Sequence, residues 1–406
     1  MSFVEKRDEF RPNSGEAPFD LDEVFFSRTD TRGVIQSGNY VFKRVANFDW
    51  SELIGAPHKL IRHPDMPKAV FWLLWTSIQN GNPIGAYIKN RAKDGLYYWV
   101  FAVVAPMPGG FLSARIKPTT DMLTTIASEY EALRGRELEE NLSPEESATE
   151  LLSRLNVLGF PDYDSFSSSA LVSELIARDT ALGKKPAVRT TALNGALAFA
   201  EDLKHETEAL ITDFKAMETV PHNLRVIASR MEPTGGPIST LSQNYGSMSR
   251  DMSDWFEAHV MGKDSNFAGI RSSVLRSIFI HSMSRILQDC VRQLSEERRD
   301  LNYIDIDAES DILKNVVATY AGEAARSAQN VQGEARRILD ACNRMDRHVL
   351  GLSTTRVMCK IESARLTNSG ESLQDIIAQL KVFQDRISTR LDQIIHLGHE
   401  IENALS

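Results

Sequence analysis

The sequence predicts an α+β domain near the amino terminus, an antiparallel sheet with short helices, followed by a long all-α region of bundle or coiled-coil type. Three observations carry this expectation. Short β-rich runs cluster between residues 33 and 116 and are separated by turn signals. Asp94-Gly95 stands between two apolar-aromatic runs, which is a hairpin signal. From Leu373 to Leu405 apolar residues recur at helical spacing.

The elements follow in order. Residues 1 to about 20 form a polar lead, MSFVEKRDEFRPNSGE and its continuation, without the apolar core of a signal peptide. Residues 21–120 carry the mixed pattern. Strand-like runs lie at Gly33-Val34-Ile35, Ala86-Tyr87-Ile88, Tyr97 to Val104 and Gly110 to Ile116, with helical patches around 39–46 and 67–80. Residues 121–187 read as a helical connector. Met122 to Leu138 has helical spacing, and Ser143 caps a helix with Pro144 at its first position. Leu151, Leu152, Leu155 and Leu158 continue an apolar face, Gly159-Phe160-Pro161 breaks it, and Gly183 to Pro186 is a linker. Residues 188–406 are helical in pattern, with one strong breaker at Pro233 to Pro237. Leu373, Ile376, Leu380, Phe383, Ile387, Leu391, Ile394, Leu397, Ile401 and Leu405 form an amphipathic stripe that must bury against another helix, in this chain or in a second copy.

Composition narrows the class. The chain has 406 residues, 42% hydrophobic and 25% charged, as ordinary globular proteins do. Its net charge of -9 lacks the basic stripe of a nucleic-acid binder. No apolar run is long enough for a membrane span. Cys290, Cys342 and Cys359 make neither a disulfide framework nor a zinc site, so a reducing, cytoplasmic setting is expected.

One block of motifs is more specific. Pro57-His58, Ile61-Arg62-His63-Pro64-Asp65-Met66-Pro67-Lys68-Ala69, Lys89-Asn90-Arg91, Lys93-Asp94-Gly95 and Tyr98-Trp99-Val100 occur in this order over about a quarter of the chain. Together they resemble the PAS domain of bacterial aerotaxis receptors. The resemblance implies a small sensory pocket and a flavin, FAD, as its ligand. It points to Asn39, Arg62, His63, Asp65, Phe71 and Asn90 as the flavin-site positions. Their chemistry suits that ligand: a pyrophosphate needs cationic donors such as Arg62, and an isoalloxazine ring needs apolar walls with a few polar partners. Phe71, Trp72 and Trp99 are candidate walls, and Asn39 and Asn90 candidate amide partners. The same residues also have a structural reading. Arg62, His63 and Asp65 suit a network pinning a loop to the sheet, and Phe71, Trp72 and Trp99 suit a core. One departure is visible: the family has Pro-Trp before the Lys-Asn-Arg strand, and this chain has Pro83-Ile84, which removes a stacking face.

The rest of the sequence offers little further chemistry. His222-Asn223-Leu224-Arg225 is superficially similar to a phosphoacceptor box, but no nucleotide-binding domain follows it; a capped helix start is the alternative. His58, His281 and His396 are isolated, and His396 with His399 has no third metal ligand in view. No Ser-His-Asp order or paired-carboxylate motif stands out, so the chain is read as non-enzymatic. Asn223 to Glu232 and Arg356 to Leu366 faintly resemble the hairpin tip of chemoreceptor signalling domains, although the full tip pattern is absent from both. The expectation is a cytoplasmic homodimeric sensor that reports redox or oxygen status through a PAS-bound flavin to a helical output module, with chemotaxis-type components as possible partners. The alternative is a cofactor-free PAS scaffold that assembles a signalling complex.

Overall fold

A computed structural model describes residues 11–217, 222–223, 225–226, 236–256, 258–259, 266–297, 304–365 and 370–405. The chain divides into two compact units, one of residues 1–194 and 275–327, the other of 195–274 and 328–406.

The first unit is built on a five-stranded antiparallel sheet of order β2-β1-β5-β4-β3. Its strands are β1 (Phe25–Asp30), β2 (Ile35–Gly38), β3 (Ile84–Arg91), β4 (Tyr97–Met107) and β5 (Gly110–Ile116). The expected hairpin is present: β3 and β4 pair from Ile84 opposite Val104 to Arg91 opposite Tyr97, and Gly95 takes the left-handed φ of +89° that the turn requires. Between β2 and β3 run α1 (Tyr40–Ala46), α2 (Trp50–Leu53), a short 3-10 turn (His58–Ile61) and α3 (Lys68–Gln79). They lie over one face of the sheet and leave a cavity against it.

Alternation along the strands gives the sheet a second apolar face, and helices cover it. After β5 come α4 (Met122–Glu139), α5 (Pro144–Val157) and α6 (Tyr163–Ala181). Ser143 caps α5 in a capping box with Glu146, and Pro144 takes the first helical position, as the sequence indicates. Tyr87 packs edge-on against Phe101 and tilts against Phe166 of α6. Residues 275–327 join the same core through Phe279, Met283, Leu287, Cys290, Leu313 and Val316. Arg28 of β1 pairs with Glu309 at 2.8 Å, and Tyr320 Oη donates to the Pro106 carbonyl at 2.7 Å.

Three buried glutamates tie this helical layer to backbone N–H groups. Glu137 of α4 accepts from Lys68 N–H at the start of α3 and from Ser147 Oγ. Glu174 of α6 accepts from the backbone N–H groups of Thr119 and Thr120 and from Tyr87 Oη. Glu297 accepts from Tyr40 N–H at the start of α1. Helix starts leave such donors without intrahelical partners, so a carboxylate there meets a real need.

The second unit is helical. The chain there forms parts of α7 (Val188–Met217), α8 (Pro237–Phe256), α9 (Asn266–Glu296), α10 (Ile306–Arg365) and α11 (Gly370–Leu405). The predicted stripe on α11 is buried at Ile376, Leu380, Phe383, Ile387, Leu391, Ile394, Leu397 and Ile401. The side chains of Leu373 and Leu405 lie outside the described residues. Arg390 fixes α11 to α7 through Asp213 at 2.6 Å and Glu206 at 2.8 Å. Among the described residues no helix is long and apolar enough to cross a membrane.

Candidate functional site

A cavity of about 290 Å³ lies between the inner face of the sheet and α3. Leu74, Trp75 and Ile78 of α3, Ile88 of β3, Val104 of β4 and Phe111 of β5 give it apolar walls. Trp75 meets Phe111 edge-on, with ring centroids 5.6 Å apart. Gly33, at a left-handed φ of +77°, faces Trp75 so closely that a Cβ there would touch the indole at 3.0 Å.

The polar lining is strongly biased in sign. Arg32, Lys59, Arg62 and Arg115 all line the cavity, and no carboxylate does among the described residues. This occurs in a chain whose net charge is -9. Arg32 and Lys59 are exposed and mark the mouth, with Arg32 paired to Asp30 at 2.9 Å. Arg62 is half-buried, and its guanidinium carbon lies 3.5 Å from the centroid of the Phe71 ring. Burial holds its pKa below the usual arginine value, with Glu137 opposing that shift. The backbone of Arg62 bridges to Asn90 of β3, and the Asn90 side chain lines the same cavity.

Deeper in, Arg115 of β5 is fully buried. It donates to Ser27 Oγ at 2.9 Å and to His58 Nε2 at 2.6 Å. His58 therefore accepts at Nε2 and carries its proton on Nδ1. Loss of hydration, reinforced by the Arg115 charge, pushes the His58 pKa down to about 3, so the ring is neutral at physiological pH. Both Arg115 and His58 pack on Phe42 of α1, at 5.3 Å and 6.4 Å respectively.

Of the residues the sequence nominates, Arg62, Phe71 and Asn90 come together at this cavity. His63 and Asp65 stand apart from it. Asp65 pairs with Lys89 at 2.6 Å, which lowers its pKa, and its backbone N–H donates to His63 Nδ1 at 3.2 Å. Asn39 is buried at the start of α1, where it accepts from Phe26 N–H and donates to the Val24 carbonyl and to Glu297. Trp99 is half-buried against Tyr130, away from the cavity lining. Ile84 is buried in β3 and is also not among the lining residues.

A match to a family model falls on this unit. Residues 37–110 match the family model of the PAS fold. A stretch of 123 residues is 36% identical to the aerotaxis receptor of Escherichia coli (strain K12). This part of the chain is a PAS domain, and the chain is similar to an aerotaxis receptor. The matched stretch covers 29% of this chain and 24% of that receptor, so the chain spans about a quarter of the receptor's length.

Sequence reasoning missed part of the PAS cavity. Arg115, Ser27 and Trp75 were not singled out, and His58 was read as isolated because its partners lie far along the chain. A signal for Arg115 was present: it is a charge in the apolar run Phe111-Leu112-Ser113-Ala114-Arg115-Ile116, at the same strand parity as Phe111 and Ser113. Outside the PAS domain, His222 is exposed, and of the segment Asn223 to Glu232 only Asn223, Arg225 and Val226 are described. Arg356 to Arg365 is helical, and Leu366 lies outside the described residues. Among the described residues no group of three or more His, Cys, Asp or Glu side chains is placed to hold a metal ion.

Proposed function

We propose that this protein is a signalling sensor of aerotaxis-receptor type whose PAS cavity holds a flavin and whose helices carry the response. The observation that carries this reading is the cavity itself, with aromatic and aliphatic walls and, among the described residues, four cationic side chains and no carboxylate. Its volume is near the lower end of small-molecule sites, roughly 300 Å³ upward, and suits a flavin ring with its phosphate tail at the mouth. Phe71, Trp75 and Phe111 would wall the ring, Asn90 would supply an amide partner, and Arg62, Lys59 and Arg32 would meet the phosphates. Bound flavin would supply reversible electron acceptance, which side chains lack.

The residues of the chain offer a route from the cavity to the helical layer. Arg115 and His58 pack on Phe42 of α1, and the start of α1 is held by Glu297. A change of charge in the cavity bears on α1 and through it on residues 275–327. Output is assigned to the helical region, acting as a homodimer with chemotaxis-type partners. Leu350, Val357 and Ile361 are exposed apolar residues on one helix at steps of seven and four, which suits a helical partner. The three cysteines are free and buried, which suits the reducing cytoplasm.

The test is the visible spectrum of the purified full chain, before and after incubation with flavin dinucleotide. A flavin absorbance band that co-elutes with the protein is the expected result. A colourless protein that takes up no added flavin at high micromolar concentration rejects this reading and favours a PAS scaffold without cofactor.

A further inference from the structure

In the first unit the other buried arginine described, Arg178, and the half-buried Arg44 and Arg28 pair with carboxylates. Arg178 meets Asp289 at 3.2 Å, Arg44 meets Glu23 at 2.5 Å, and Arg28 meets Glu309 at 2.8 Å. Arg115 is the exception. It is 1% exposed, and its hydrogen bonds go to the Ser113 carbonyl, Ser27 Oγ and His58 Nε2, all of them neutral acceptors. Among the described residues it has no ion pair. The rings of Phe42 and Phe25, at 5.3 Å and 5.8 Å, cover its other sides. Burial lowers its pKa only to about 10, so it stays charged at neutral pH. A buried cation without a counter-charge is costly, and this one lines the cavity.

We infer that Arg115 meets negative charge on the occupant of the cavity and, on the reading above that the occupant is a flavin, raises the potential at which the sensor switches. Two electrons and one proton, taken from an external reductant, convert the neutral oxidised ring to a reduced ring with one net negative charge. Arg115 exchanges neither electrons nor a proton. Its fixed charge favours the reduced form over the oxidised one, and neutral His58 and Ser27 hold it in place without cancelling that charge.

The experiment is a spectroelectrochemical titration with dithionite as reductant, on the full chain loaded with flavin dinucleotide. Arg115→Met is expected to lower the midpoint potential and weaken flavin binding, and Arg115→Lys to stay near the parent in both. Loss of flavin from Arg115→Met with retention by Arg115→Lys also supports the assignment. A folded Arg115→Met with the parent potential, or loss of flavin from both variants, overturns it. If Arg115→Met does not fold, His58→Glu replaces it: a carboxylate beside Arg115 cancels the charge and is expected to lower the potential, and an unchanged potential overturns the inference. A parent chain that binds no flavin fails at the first step, which rejects the flavin reading and this inference with it.

Discussion

Glu297 accepts a hydrogen bond from the side chain of Asn39 at 3.0 Å and a second from the backbone N–H of Tyr40 at 2.6 Å. A carboxylate from the end of a helix far along the chain thus closes the start of α1 and holds the amide that helps fix β1. Gln293 adds a third donor at 2.9 Å. Burial outweighs these donors and raises the Glu297 pKa from 4.5 to about 7.

The sign of the pH dependence follows. The folded state binds this proton more tightly than the unfolded state, so the contribution to stability is full below pH 4.5 and is lost as pH rises toward about 7. Glu297→Gln keeps an acceptor and removes the titration. The difference in urea stability between parent and Glu297→Gln is expected to change across this window in favour of the variant as pH rises. Parallel pH profiles for the two proteins would remove Glu297 as the titrating group.

Glu174 makes the analogous contact for the segment after the sheet. It is fully buried and accepts from Tyr87 Oη at 2.8 Å, Thr119 N–H at 2.6 Å and Thr120 Oγ1 at 2.6 Å. Truncation leaves several buried donors without partners. Glu174→Ala is expected to cost about 3 kcal/mol, read from the midpoint of urea unfolding. A loss under about 1 kcal/mol would mean that water replaces the carboxylate.

Gly110 opens β5 opposite Asp30. A Cβ at this position would collide with the carbonyl oxygen of Thr29, and backbone atoms cannot step aside as a flexible side chain can. Gly110→Ala is expected to destabilise the PAS domain by more than about 2 kcal/mol, seen as a lower thermal midpoint.

These contacts also mark what the sequence could and could not disclose. The β3–β4 hairpin, α3 and the α11 stripe were legible because period and turn chemistry are local properties. Strand β1 was not. In Phe25-Phe26-Ser27-Arg28-Thr29-Asp30 the polar residues break the apolar run, since Ser27 and Thr29 face the cavity side and Arg28 is matched by Glu309. The motif block led to Arg62, Phe71 and Asn90, which share the cavity. It could not foresee that Asn39 is engaged by Glu297, or that residues 275–327 pack with the PAS domain. Such pairings depend on long-range packing, and no local pattern encodes them.

The cations at the cavity mouth lead to the last expectation. Arg62 stacks on Phe71, and a guanidinium suits planar recognition of a phosphate. Riboflavin has the same ring as flavin dinucleotide but no phosphate. If Arg62 serves the phosphates, Arg62→Ala lowers affinity for the dinucleotide by about tenfold, or about 1.4 kcal/mol, and leaves riboflavin nearly unchanged. Added salt narrows the preference of the parent in the same direction, because charges at an exposed mouth are screened. Fluorescence titration of both ligands against parent and variant reads the ratio directly. An equal loss for the two ligands would place the role of Arg62 in shaping the Phe71 wall.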